Sequence, residues 1–545
     1  MSVPSVILTL MQLTDEQNAV VDASLSGTHV IVEAGAGAGK TSTLVACADA
    51  LPDSKYGLYL SFTKAIVEEA EHKFPSNIAC RTAHSLAMKA IRQARSGDLL
   101  HARDCLDKLG RVSRQSMNDV ALALDLRPFV IDRDHVLREG IIARTVMETM
   151  SNFLRSADEE PGRKHMPHVK GLDLIAEATR SPERPEHNAL WRHISMGVAK
   201  AWEDINNPNG RLKFEHNHYL KLFQLSHPRI NADFLFFDEA QDANPVMAAI
   251  LTDQLDQPNP PQLIVVGDSA QAIYGWNGAV DAIAMFRERF RNSNTKYSPC
   301  QLTQSWRFGP AVADVANVYL EYLTTSTMQI KGNPAMQSSQ LILNQPSPGE
   351  RLTILSRTNA YVIQNLIEAL AADIPTAVVG GDGWARTQIG LLNAMDELYA
   401  TNSTNHPELA GFVDWNAFTD YVTFESEAQD LRPLYNLYTN YGHGTLVNAL
   451  ERTTSNEKDA QLILSTGHKA KGREWEHVAI DADFSMSVPI DGYSDEMLAL
   501  LYVVATRAQQ SLDVTAIFED IKADPKVCKR LNITPSLPMV QNVAV

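Results

Sequence analysis

An α/β protein built on doubly wound parallel sheets is what the sequence predicts, and three observations carry that expectation. A short apolar strand, His29–Ala34, runs into the small-residue loop Gly35-Ala36-Gly37-Ala38-Gly39, and Lys40-Thr41 then opens a helical stretch, Ser42–Leu51. A second strand of bulky apolar residues, Phe234–Phe237, ends in Asp238-Glu239-Ala240-Gln241-Asp242. A third, Leu263–Val266, ends in Gly267-Asp268. Strands that alternate with helices and carry polar residues at their carboxyl ends belong to a parallel sheet that binds its ligand along that edge.

The first loop suits a polyphosphate. Its small side chains let successive backbone N–H groups turn toward an anion, and the N-terminal end of the next helix adds positive potential. In such a cradle, formed by Ala34 to Ser42, Lys40 reaches the β and γ phosphates and Thr41 holds magnesium. Ala34 stands where this pattern usually begins with glycine. At the end of the second strand, Asp238 can bind the same magnesium through water, and Glu239 can orient and deprotonate an attacking water. Gln271, four residues after Gly267, can sense the γ phosphate.

Size and composition set the frame for these elements. A chain of 545 residues exceeds what one core usually supports, so three or four domains are expected. With 44% hydrophobic and 21% charged residues, it is neither disordered nor fibrous. Cys47, Cys80, Cys105, Cys300 and Cys528 form no C-x-x-C pair, which argues against a disulfide framework or a zinc ribbon and for a reducing compartment. No apolar run is long enough for a membrane span, and the apolar start Val3–Met11 has no basic region before it, so a cytoplasmic location is expected. The net charge of -17 speaks against a polyanionic partner, but it is uneven: residues 91–230 hold 22 basic and 19 acidic side chains. Any polyanion track must be local.

Further segments, in order along the chain, resemble the superfamily 1 DNA helicases of the UvrD/Rep/PcrA type. Leu13-Thr-Asp-Glu-Gln17 looks like that family's adenine-reading Gln motif, and Ala34–Thr41 matches its variant of the phosphate cradle. Leu60–Lys64, Thr82–Ser85, Asp238–Asp242, Val266–Trp276, Gln304–Arg307, Ser356–Asn359 with Gly380-Gly381, Thr466–Trp475 and Leu501–Arg507 continue the series. The stretches Leu58–Phe62 and Phe74–Leu86 look closest to the helicase part of the F-box DNA helicases and their shorter prokaryotic or viral relatives. No F-box-like extension precedes Leu13, so a ubiquitin-ligase role is not expected.

The resemblance implies two RecA-like parallel-sheet motor domains of the P-loop NTPase class, with mainly helical insertions. The first motor domain would comprise 1–90 and 231–300, with an accessory insertion at 91–230. The second would comprise 301–385 and 456–545, with a short insertion at 386–455. It implies ATP and Mg2+ as cofactors, with Arg307 and Arg507 acting as arginine fingers from the second lobe. Trp306 would stack on adenine, which Gln17 reads, and Glu474 would approach the ribose. Phe62, Thr63, His84, Tyr274, Trp276, Arg357, Thr466 and His468 match positions that touch DNA or relay to it. Asn277 replaces the family's usual arginine, which weakens one expected link between γ phosphate and DNA. Met497-Leu-Ala499 replaces a charged pair and is expected to loosen contact between lobes.

The implied activity is an ATP-dependent translocase and helicase on single-stranded DNA and DNA junctions, moving 3′ to 5′ as a monomer away from membranes. Three alternatives stay open at this point, the weakest of them an RNA-directed motor, because the motif series resembles DNA enzymes. The motor could mainly strip proteins such as recombinase filaments or single-strand-binding proteins from DNA, or the chain could be a nucleotide-gated DNA-binding scaffold with little turnover.

Overall fold

The computed structural model describes residues 13–531 except 62–63, 112–114, 132, 134–135, 171, 173–184, 276–277, 337–339, 343–349, 426–427, 429 and 523–524. Two six-stranded sheets, parallel at every pairing, carry the chain. The first contains β1 His29–Ala34, β2 Gly57–Ser61, β3 Ile78–Thr82, β4 Phe234–Phe237, β5 Gln262–Gly267 and β6 Tyr297–Leu302, in the order β3-β2-β4-β5-β1-β6. The second contains β7 Gln340–Ile342, β8 Leu352–Ser356, β9 Thr376–Val378, β10 Leu462–Thr466, β11 Trp475–Ile480 and β12 Ala508–Asp513, ordered β9-β10-β8-β11-β12-β7.

Strand alternation explains why the first sheet needs cover on both faces. Ile31, Leu58, Leu60, Leu235, Phe237, Leu263 and Val265 share one core with helices of the 91–230 segment. Their neighbours Val30, Val32, Tyr59, Phe234, Phe236, Ile264 and Val266 share another with the helices Asp15–Leu25 and Lys40–Ala50. Continuous apolar runs such as Phe234-Leu-Phe-Phe237 are therefore buried along their whole length.

The 91–230 segment is mainly helical, with Glu139–Arg155 and Pro185–Asn206 as its longest helices. The helical periodicity over Val136–Leu154 is interrupted at its start. Val136-Leu137 pairs antiparallel with Phe129-Val130, and the helix begins only at Glu139. The 386–455 segment contributes most of helix Gly381–Thr401 and the helices Trp415–Phe424, Leu431–Tyr441 and His443–Glu451. Among the described residues, no helix is long and apolar enough to cross a membrane.

An apolar core also bridges the two lobes. Ala36, Ala270 and Ile273 from the first lobe pack with helices Pro310–Tyr322 and Asp495–Ala505 of the second. Met497, Leu498 and Ala499, where a looser junction was expected, are all buried in it.

Candidate functional site

The loop after β1 owes its shape to close approach by the second lobe. Gly37 has φ +72°, and a Cβ there would lie 2.7 Å from both the Arg307 Cβ and the Ser305 Oγ. Only glycine fits that combination of backbone and crowding. The Trp306 N–H donates to the Gly37 carbonyl at 2.9 Å, which fixes the 304–307 segment against the loop. Helix Lys40–Ala50 follows, beginning two residues before the expected Ser42, and no side chain caps its N-terminus.

At the carboxyl ends of β4 and β5, three carboxylates converge on one lysine. Lys40 Nζ lies 2.8 Å from Glu239 Oε2, and Thr41 Oγ1 donates to Asp238 Oδ2 at 3.1 Å. Tyr59 OH donates to the same Asp238 oxygen at 2.8 Å. Burial opposes the Lys40 charge, but Glu239, Asp268 and Asp238 together outweigh it and hold its pKa above the ordinary lysine value. Burial and the neighbouring Glu239 push the Asp238 carboxyl upward. Glu239 goes the other way: burial would raise it, yet the charge and hydrogen bond of Lys40 hold it down.

Gln241 and Gln271 order this acidic edge. Gln241 Nε2 donates to Glu239 Oε2 at 2.7 Å, while its Oε1 accepts from the Asp268 N–H at 3.0 Å. Gln271 Nε2 donates to Asp268 Oδ2 at 2.7 Å. Burial lifts Asp268 to about 6, against the pull of Lys40.

The second lobe delivers cations to the same cavity, which has a volume of about 380 Å³. Lys40, Thr41, Glu239, Gln271, Arg307 and Arg507 all line it, as do Lys471 and Tyr274. Arg307 is held by Glu474 at 2.7 Å and by the Thr506 carbonyl at 3.2 Å. Arg507 is fully buried, donating to the Val503 carbonyl at 2.8 Å and to Gln271 Oε1 at 3.4 Å. Burial and then the charge of Arg307 bring its pKa down to about 9, so it stays protonated at neutral pH. Lys471 bridges the lobes by pairing with Asp242 at 2.6 Å and bonding the Gln271 carbonyl.

Gln17, Trp306 and Glu474 frame the outer end. Gln17 closes a capping box with Thr14 and donates through Nε2 to Thr43 Oγ1 at 3.1 Å. Its amide keeps a second lone pair and a second N–H for another partner. Trp306 is 46% exposed, an unusual state for an indole, and lies beside Gly39. Glu474 is shared between Arg307 and Gln509, whose Nε2 lies 2.9 Å away.

Of the residues expected to touch DNA, Phe62, Thr63 and Trp276 lie outside the described residues, as does Asn277. His84 follows β3 and sits 3.1 Å from Asn217 of the first insertion. Thr466 ends β10 beside Ser356, the last residue of β8, and Arg357 follows directly. The Arg357 N–H donates to Asp483 Oδ1 at 2.7 Å. Tyr274, expected to touch DNA or relay to it, lies at the cavity. It is half-buried in the cavity wall, with Lys471 Nζ 5.0 Å from its ring centroid and its hydroxyl donating to the His468 carbonyl at 3.0 Å. Tyr274 thus connects the cavity to the His468 helix.

Sequence reasoning did not single out Tyr502, Lys471 or Gln241. Tyr502 OH lies within an apolar helix yet crosses the lobe boundary, accepting from the Ala36 N–H at 3.0 Å and donating to Asp268 Oδ2 at 3.0 Å. Replacing it by phenylalanine leaves a buried N–H and a buried carboxylate each short of a partner. A loss of about 1 to 3 kcal/mol in stability is expected. Thermal unfolding would read it, and a melting temperature equal to the parent's would show that the hydroxyl contributes nothing.

The chain is also similar to known proteins. Residues 17–277 match the family model described as an AAA domain. The chain is 31% identical over 541 residues to F-box DNA helicase protein 1 of Schizosaccharomyces pombe, covering 92% of this chain and 57% of that protein. It is 28% identical over 558 residues to F-box DNA helicase 1 of Gallus gallus, covering 95% and 50% respectively. With DNA helicase IV of Escherichia coli it shares 25% identity over 334 residues, 55% of this chain and 46% of that one. The chain therefore spans about half the length of the curated relatives it matches.

Proposed function

This chain carries a superfamily 1 helicase core, and on that premise we propose that it is an ATP-driven motor that translocates 3′ to 5′ along single-stranded DNA and unwinds duplexes. The observation that carries the reading is one cavity lined by Lys40, Thr41 and Glu239 from the first lobe and by Arg307 and Arg507 from the second. Charge that closes over a γ phosphate only when both lobes meet links hydrolysis to relative motion of the lobes.

In this reading the loop amides and Lys40 bind the phosphates, and Trp306 and Gln17 receive the base. Glu239 takes the proton of the attacking water. Because Lys40 and Glu239 are paired at 2.8 Å, an arriving triphosphate competes for the lysine and frees the carboxylate to act as base. The Thr41 hydroxyl and the Asp238 carboxylate, 3.1 Å apart, are hard oxygen donors that fit magnesium and would hold it. Magnesium there would supply charge neutralisation on the β and γ oxygens. His84, Arg357, Thr466 and His468 would line the strand, and Tyr274 would relay between the strand and the cavity.

Unwinding assays on duplexes carrying a single-stranded tail at either end test this proposal. ATP-dependent strand displacement is expected only with the 3′ tail. Displacement from the 5′ tail alone would overturn the direction, and nucleotide-dependent DNA binding without turnover would overturn the motor itself.

A further inference from the structure

The two insertions differ in character. The 91–230 segment is slightly basic, whereas residues 386–455 hold three arginines, no lysine, and nine aspartates and glutamates. Nine of those 70 residues are also aromatic, in a chain that is 7% aromatic overall. Phe412, Phe418 and Tyr421 bury themselves as that segment's core. In a second group Tyr399 is exposed, while Trp415, Tyr435 and Tyr438 are half-buried against that core. Tyr399, 63% exposed, meets Trp415 edge-on with ring centroids 5.2 Å apart. Trp415 in turn packs against Tyr435 at 5.9 Å and Tyr438 at 5.8 Å. Beside this ledge, three residues before Tyr399, the exposed Asp396 accepts the Tyr438 hydroxyl at 2.8 Å. That bond occupies one of roughly four lone-pair sites on the carboxylate.

We propose that this ledge is a docking site for an arginine-bearing basic segment of a partner protein. An exposed tyrosine ring backed by half-buried aromatic neighbours, with an exposed carboxylate three residues before it on the same helix, offers both halves of a guanidinium site. A guanidinium can lie on a tyrosine face and at the same time share two hydrogen bonds with a carboxylate, and Tyr399 and Asp396 stand three positions apart on the helix Gly381–Thr401. Charge decides against nucleic acid as the occupant, because a phosphate backbone would approach a segment with three times as many carboxylates as guanidinium groups. The inference goes beyond the motor reading and does not depend on it, since none of these rings lines the nucleotide cavity.

Fluorescence anisotropy of a labelled peptide of alternating arginine and glycine, titrated with the full chain at physiological salt, tests the proposal. Tyr399→Ala and Asp396→Asn are each expected to weaken binding about threefold to tenfold. Asp420→Asn, which removes a carboxylate elsewhere on the same segment, should leave binding unchanged. Equal weakening by Asp420→Asn would mean bulk charge attraction and overturn the site, as would parent-like binding by Tyr399→Ala. Displacement of the peptide by a single-stranded oligonucleotide in the parent but not in Tyr399→Ala would overturn the choice of partner. DNA-stimulated ATPase measured on the same variants should match the parent. If the parent itself lacks that activity, the motor proposal fails and the peptide result still stands.

Discussion

Lys40→Ala is expected to abolish DNA-stimulated ATP hydrolysis, by on the order of 10³-fold or more. The size of the effect follows from what surrounds the ammonium. Asp238, Glu239 and Asp268 all bear on it, and it is the group that offsets their mutual repulsion in the buried site. Without it, a triphosphate would approach three buried carboxylates with only the second lobe's cations to offset them, so binding and turnover should both fall. Glu239→Gln separates these effects. It removes the base but leaves Lys40 with a neutral neighbour, so nucleotide binding should persist or tighten while hydrolysis stops. Steady-state hydrolysis and equilibrium binding of a fluorescent nucleotide would distinguish the two variants. Parent-rate hydrolysis by either, in a protein that melts like the parent, would contradict the assignment.

Parts of this site were legible in the sequence because their logic is local. A strand, a run of small residues, a lysine and a helix can be read from one window, since backbone geometry dictates the spacing. The acidic ends of β4 and β5 are equally local, and the run Phe234–Phe237 left little choice but a strand buried on both faces. What joins the lobes is not local. Tyr502 and Asp268 are 234 positions apart and Tyr502 and Ala36 are 466 apart, and in the sequence Tyr502 is one more large residue in an apolar helix. Periodicity assigns it to the core, correctly, but cannot tell that its hydroxyl will find a carboxylate. Tyr274 shows the converse difficulty. An aromatic ring on a polar turn can stack on a base or roof a cation, and only the arrival of Lys471 from the other lobe selects the second arrangement in this structure. Val136-Leu137 escaped the helical expectation because a two-residue pairing with Phe129-Val130 has no periodicity of its own.

Arg507→Ala should lower the rate of ATP cleavage about 10³- to 10⁵-fold, the range for guanidinium groups that close on a transferring phosphoryl group. The environment argues for such a role. Arg507 is buried next to Arg307, and burial together with that like charge depresses its pKa to about 9, which is an unfavourable arrangement unless an anion is to be placed between them. Its hydrogen bonds go to carbonyl oxygens, the Thr506 hydroxyl and Gln271, so the carboxylates of Glu474 and Asp268 act on it only through space. A cavity that also admits Lys40, Lys471 and Arg307 is charged in advance for a polyanion, and the cost of keeping the cations together falls when the γ phosphate arrives. Arg507→Lys should not restore the rate, because a single ammonium lacks the planar fork that reaches Gln271 and the phosphate together. Single-turnover hydrolysis is the direct measurement, with nucleotide affinity followed in parallel. A rate within tenfold of the parent would mean that Arg507 only props the Val503–Arg507 turn, and the second lobe's catalytic charge would then have to come from Arg307 and Lys471.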